Sequence, residues 1–228
     1  MKEPVQVDDD PRGFRRILLD RGETRNAIDS ATVRGLRAGI ADAPGVVVIL
    51  GSVTPTAFSS GADLKLNPGS RAQVSNDLYR LYQEMRESDK ILITAASGPA
   101  VGGGAQLLVA SDLRLASPDV EIRFLGPGHG LVVGAWGLPS LIGRGRAMDL
   151  CLSMRTVRAD EALAIGLVDR LVDDPLDEAA RYAAEICELD PEAVVALKRV
   201  ISISDNEVAL RTESAHNAEW DGAVRERH

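Results

Sequence analysis

The chain has 228 residues, 45% of them hydrophobic and 26% charged, enough for a well-packed core in one large domain or one domain with an appendage. A net charge of −8 and an aromatic content of only 4% argue against a nucleic-acid or anionic-membrane partner and against base- or sugar-stacking platforms. Two cysteines and three histidines form no ligand pattern, so no metal site is expected and the thiols read as buried and reduced.

In chain order, the opening "MKEPVQVDDDPRG" has no apolar core of a signal peptide, and no apolar run is long enough to span a bilayer. A cytoplasmic location is therefore expected. "FRRILLD" (14–20) reads as a strand. "SATVRGLRAGIADA" (30–43) places Val33, Leu36 and Ile40 on one helical face, with Asp29 or Ser30 as cap. "VVVIL" (46–50) and "ILITAAS" (91–97) are continuous apolar runs, the mark of buried parallel strands. Between them 70–89 reads as a helix, and "GGGAQLLVASD" (102–112) as a helix leading into the strand "DLRLAS" (112–117). After about residue 140 the periods are mostly helical, with Asp190–Pro191 a clean cap and start. Strand–helix alternation followed by helices predicts an α/β fold.

Two loops stand out. In "TPTAFSSGADLKL" (54–66), Gly61 allows a sharp turn that aims the Ala62 N–H into a cleft. In "AVGGGAQLL", Gly102, Gly103 and Gly104 leave the first N–H groups of a helix unobstructed, where the helix dipole adds partial positive charge. Two such groups converging from two loops make an oxyanion hole. The alternative is a tight strand–helix connection and nothing more. A phosphate loop fits poorly, because no Gly-Lys-Ser/Thr follows, and the spacing is not that of a dinucleotide fingerprint.

"RNAID" (25–29), "AFSSGADLK" (57–65), "SGPAVGGGAQLLVASDLRLAS" (97–117), "GLVVGAWGLPSLIG" (130–143) and "ADEALAIGLVDRLV" (159–172) occur in this order. Together they resemble the crotonase family, the enoyl-CoA hydratases and isomerases, over about residues 14–200. The resemblance implies a spiral of ββα turns over residues 1–143 carrying an acyl-CoA site. It also implies a helical region, 144–228, that serves trimerisation, the two forming one continuous unit. It implies a homotrimer or hexamer and a substrate that carries coenzyme A, with no covalently bound cofactor. Carried over by motif, Ala62 and Gly103 supply the two oxyanion N–H groups. Arg25, Ala27, Asp63, Leu64 and Lys65 fall on the stretches that hold the adenine and phosphates; without the resemblance, Arg25 and Lys65 are equally well two solvated charges.

The chain departs from the family where proton transfer is done. The first hydratase glutamate falls on Gln106, which cannot take a proton near neutral pH. The second falls on Gly126, no Asp or Glu occurs from Ile122 to Met148, and the place of an Asp in some members falls on Gly134. General acid–base catalysis contributes about 10²–10⁴-fold, so hydratase activity is expected to be weak or absent. The chain is similar, around 97–143, to a subset of members regarded as acyl-CoA binders that lack both glutamates. Restoring them, with Gln106→Glu and Gly126→Glu, is expected to restore crotonyl-CoA hydration.

Rival readings stay open. His129 is the one titratable group near the empty positions, a base for another chemistry (isomerase, thioester hydrolase or decarboxylase) or a histidine packed on a loop. Trp136 walls an acyl tunnel or packs in the core, and Ser59 and Ser60 read as small turn residues. A structural subunit that binds no coenzyme A is the third reading. The C-terminal stretch "AEWDGAVRERH" is shorter than the family's helical tail, which is expected to leave the pocket more open or to leave a surface for another protein.

Overall fold

In the computed structural model of the chain, residues 3–202, 210, 211, 214, 215, 217 and 218 are described. The continuous apolar runs form the centre of a six-stranded sheet. Strands β1 (Val5–Asp9), β2 (Phe14–Leu19), β3 (Val47–Ser52), β4 (Ile91–Ala96), β6 (Leu113–Ala116) and β9 (Arg170–Leu171) lie in that order. All neighbours are parallel except β1, which pairs antiparallel with β2. Both faces are covered, which is why these strands read as unbroken apolar runs. Side chains alternate between the faces. Val48, Leu50 and Leu92 join the larger core beneath α1 (Ser30–Ala41) and α2 (Pro68–Glu87). Val47, Ile49, Ile93 and Leu115 face α7 (Pro175–Cys187) through Ala179, Ala183 and Ile186.

A second layer of short extended segments runs beside this sheet. β5 (Pro99–Val101), β7 (Glu121–Arg123) and β8 (Val157–Arg158) pair in that order. Single parallel bridges join Ile28 to Ala62 and Ser59 to Ala100. Each turn of chain thus gives one strand to the large sheet and one short segment to the second layer, then a helix. This is the predicted ββα spiral. α3 (Gly103–Ala110) follows β5, and α4 (Leu138–Ile142), α5 (Arg144–Ser153), α6 (Ala159–Ala164), α7 and α8 (Pro191–Ser202) make up the helical second part.

The caps behave as their chemistry requires. Asp29 accepts the Thr32 N–H at 2.8 Å and starts α1, and Asp190 accepts the Ala193 N–H at 2.9 Å and starts α8. α2 starts two residues before the predicted Ser70, with Asn67 as cap and Pro68 as its first residue. β1 was not predicted. Its outer positions are exposed and acidic, and it is held by cross-strand ion pairs, Asp9 with Arg15 at 2.6 Å and Asp8 with Arg16, each pair directly opposite in register. Cys151 and Cys187 are free thiols, half-buried rather than fully buried. No described helix is long and apolar enough to cross a membrane.

Candidate functional site

The two loops singled out in the sequence meet. Gly61 has φ +84°, and a Cβ there would lie 2.7 Å from the Val101 carbonyl oxygen and 3.3 Å from the Gly103 nitrogen. Only glycine lets the 59–62 turn approach the glycine run this closely. Ser59 fixes the turn: its hydroxyl donates to the Asn26 carbonyl at 2.8 Å and accepts the Gly61 N–H at 3.2 Å. Ser59 and Ser60 are therefore turn residues. Ile28 donates to the Gly61 carbonyl and accepts from the Asp63 N–H, so the Ala62 N–H points to the opposite side of that segment. Gly103 opens α3, where the first N–H groups have no intrahelical acceptor. A Cβ on Gly103 would lie 3.8 Å from the Ala62 nitrogen. Among the described residues neither the Ala62 nor the Gly103 N–H donates to a protein acceptor.

Both residues line one cavity of about 60 Å³, with Ser75, Leu78 and Tyr79 of α2, Gln106 of α3, Leu131, Val133 and Asn217. None of these lining residues is an Asp, Glu, His or Lys. His129 sits on the short turn Pro127–His129 and is not among them, and neither is Trp136, which is buried and stacked on Tyr82. Trp136 is core packing. Asn217 joins this lining with three side-chain bonds. Its Oδ1 accepts the Val132 N–H at 2.9 Å, and its Nδ2 donates to the Val132 carbonyl at 2.6 Å and to the Tyr79 hydroxyl at 2.9 Å. Asn217 thus forms part of the cavity wall. Residues 219–228 lie outside the described residues.

Gln106 is occupied. Its Oε1 accepts the Gly134 N–H at 3.0 Å and the Trp136 indole N–H at 3.0 Å, with the Tyr79 hydroxyl 3.4 Å away. It ties the 132–136 loop to α3. The second empty place has closed as well. A Cβ on Gly126 would lie 2.8 Å from both the Leu131 carbonyl oxygen and the Val133 nitrogen. The chain wraps around this residue, the Leu131 N–H donating to its carbonyl at 3.1 Å. A glutamate here must move the loop.

The outer residues divide into two groups. Arg25 and Lys65 are exposed, and among the described residues neither makes an ion pair. They lie on the stretches joined by the Ile28–Ala62 bridge. Leu64 is exposed beside Lys65, and Ala27 is buried behind Arg25. Asp63 is committed to structure: it accepts the Lys65 N–H at 3.0 Å and pairs with Arg21 at 3.1 Å. Arg21 also pairs with Asp29 at 3.2 Å and donates to the Ala27 carbonyl. Burial works to raise the Asp29 carboxyl, but the Thr32 N–H and hydroxyl, with Arg21, hold it below the usual carboxylate range.

Sequence reasoning missed Arg21, Asn26, Tyr79 and Asn217. Asn26 takes φ 53° and donates to Ser52 Oγ and to the Ala57 and Phe58 carbonyls, tying its own turn to the 52–58 segment. The signal was available, since Asn tolerates left-handed backbone and can satisfy several main-chain groups at once. Nothing local marks Tyr79 or Asn217, which act over long sequence separations.

A wider recess of about 490 Å³ lies between α7 and α8, away from both loops. Its buried Lys198 is committed to the Met85 and Lys90 carbonyls and to Asp112 at 2.9 Å, while Asp112 also accepts the Leu92 N–H. Burial holds the Lys198 ammonium below its usual pKa. Those contacts account for the Lys198 and Asp112 side chains.

The family model for enoyl-CoA hydratase/isomerase matches residues 10–221. The chain belongs to this family. It is 35% identical over 214 residues to the probable enoyl-CoA hydratase echA6 of Mycobacterium tuberculosis, covering 91% of this chain and 85% of that protein. It is 33% identical over 215 residues to the peroxisomal bifunctional enzyme of Cavia porcellus, covering 90% of this chain and 29% of the longer protein. Solved enoyl-CoA hydratase/isomerase family structures superpose closely. One from Mycobacterium paratuberculosis gives a TM-score of 0.83 at 26% identity, covering 97% of this chain and 96% of that one. One from Thermoplasma volcanium gives 0.81 at 29% identity, covering 94% and 91%.

Proposed function

We propose that this member of the enoyl-CoA hydratase/isomerase family binds acyl-CoA thioesters, with hydratase turnover weak or absent. One observation carries the reading. Two main-chain N–H groups, from Ala62 and Gly103, have no protein acceptor among the described residues and border a cavity whose described walls hold no carboxylate, imidazole or amine. Such donors suit the oxygen of a thioester carbonyl, which gains charge when polarised. Hydration also needs a group to take a proton from water and one to deliver it. Gln106 can do neither and is held by Gly134 and Trp136. Arg25 and Lys65 supply cations for the coenzyme A phosphates at the outer edge of the same loops.

The division of labour between the spiral and the helical second part belongs to the same proposal, as does a homotrimeric assembly. It is supported by exposed apolar side chains on α5 (Met148, Leu152) and α8 (Leu197, Val200, Ile201). The test is calorimetric titration with acetyl- and butyryl-CoA, alongside crotonyl-CoA hydration followed by absorbance. Saturable binding without hydration is expected. Absence of binding, or turnover at a rate typical of hydratases, overturns the reading.

A further inference from the structure

We propose that Tyr82 is a positioning residue that keeps the Gly103 N–H aimed at the thioester oxygen; this rests on the thioester reading above. The two donors are fastened differently. Ala62 lies in an extended segment whose neighbours Gly61 and Asp63 are both bonded to Ile28, so a main-chain bridge fixes its direction. Gly103 lies in a run of three glycines, the least restrained backbone a chain can offer. The residue before α3 is Gly102, so the helix has no side-chain cap. A donor left loose here does little, because stabilising a developing charge requires donors that are already in place.

Main-chain bonds hold one side of the Gly103 N–H. The Gly102 N–H donates to the Arg123 carbonyl at 2.9 Å, and the Gly102 carbonyl accepts the Gln106 N–H at 3.0 Å. A side chain from α2 holds the other side. The Tyr82 hydroxyl donates to the Gly103 carbonyl at 2.9 Å. Glycine at 103 is what lets α2 come this close: a Cβ there would lie 2.9 Å from Leu78 Cδ1 and 3.4 Å from the Tyr82 hydroxyl oxygen.

The hydroxyl has little freedom of its own. Tyr82 is buried, with its ring edge-on to Tyr79 at 5.6 Å between centroids and stacked on Trp136 at 6.3 Å. Packing therefore places the ring, the ring places the hydroxyl, and the hydroxyl places Gly103. Tyr82 is not among the described walls of the cavity, so it acts on a ligand through Gly103. Without the hydroxyl, the Gly103 carbonyl keeps its place in the hydrogen-bond ladder of α3, and the fold survives the loss.

The experiment separates the thioester oxygen from the rest of the ligand. The full chain and Tyr82→Phe are titrated with butyryl-CoA and with S-butyl-coenzyme A, the thioether in which a methylene replaces the carbonyl. Tyr82→Phe keeps the ring and its packing and removes the hydroxyl alone. The unsubstituted protein is expected to bind the thioester more tightly than the thioether. In Tyr82→Phe the thioester should bind about three- to tenfold more weakly, the effect of one hydrogen bond. The thioether should bind as before, which also reports that the variant is folded. The carbonyl infrared band of bound butyryl-CoA should move back toward its free-solution position in the variant. Equal weakening of both ligands marks a merely structural residue and overturns the proposal. An unchanged preference for the thioester overturns it too, while leaving the thioester reading standing. If the unsubstituted protein binds the two ligands equally, or binds neither, both fall.

Discussion

Gln106 shows how one atom changes a site's chemistry without disturbing its frame. The amide oxygen gathers two N–H groups from the 132–136 loop, so the residue holds the wall of the cavity while offering no base. Gln106→Leu removes the oxygen that accepts from Gly134 and from Trp136, and each such hydrogen bond contributes about 0.5–1.5 kcal/mol. Urea unfolding should therefore show a loss of about 1–3 kcal/mol for Gln106→Leu. Gln106→Glu keeps an oxygen for both N–H groups and should lose less than Gln106→Leu; equal losses would show that the hydrogen bonds do not hold the loop. The double variant with Gly126→Glu should gain no crotonyl-CoA hydration, because the Cβ at 126 meets the backbone of Leu131 and Val133 at 2.8 Å. Detectable hydration would show that the loop yields. An amide at 106, where the resemblance leads one to expect a carboxylate, was legible in the sequence. That its oxygen is committed to Gly134 and Trp136 was not, since both partners are nearly 30 residues away and no local pattern encodes the contact.

At the scale of elements, caps and parallel strands were the most legible features, because their causes are local. Asp29 before an amphipathic run and Pro191 after Asp190 start helices wherever they occur. β1, β5 and β8 were missed for the opposite reason. They are short or exposed, and pairing with distant strands defines them. The cap of α1 also couples to pH. The Asp29 carboxyl titrates lower in the folded chain than in the unfolded one. Its contribution is therefore complete above the ordinary Asp pKa of about 3.9 and disappears as pH falls through the lower, folded value. Asp29→Ala should cost about 0.5–2 kcal/mol near pH 7. The gap to wild type should stay constant from about pH 5 to 8 and narrow below about pH 4. Chemical denaturation across that range checks this, and a gap that widens in acid would contradict it.

For the whole molecule, an acidic chain exposes Arg25 and Lys65, which make no ion pair among the described residues. Arg25 and Lys65 stand on paired loops, while Asp63 and Arg21 between them are used to lock those loops together. Arg25→Ala with Lys65→Ala should weaken binding of any coenzyme A species about tenfold or more at low salt and flatten the salt dependence of the affinity. It should not alter the ranking of acyl groups. A change of ranking without a change in salt dependence would place the phosphates elsewhere. The central claim is that the Ala62 and Gly103 N–H groups grip a thioester oxygen. Its most direct measurement is the infrared stretch of a ¹³C-labelled thioester carbonyl in butyryl-CoA bound to the protein. The account predicts a band shifted to lower wavenumber than that of the same thioester free in water. A bound carbonyl with the free-solution frequency would contradict it.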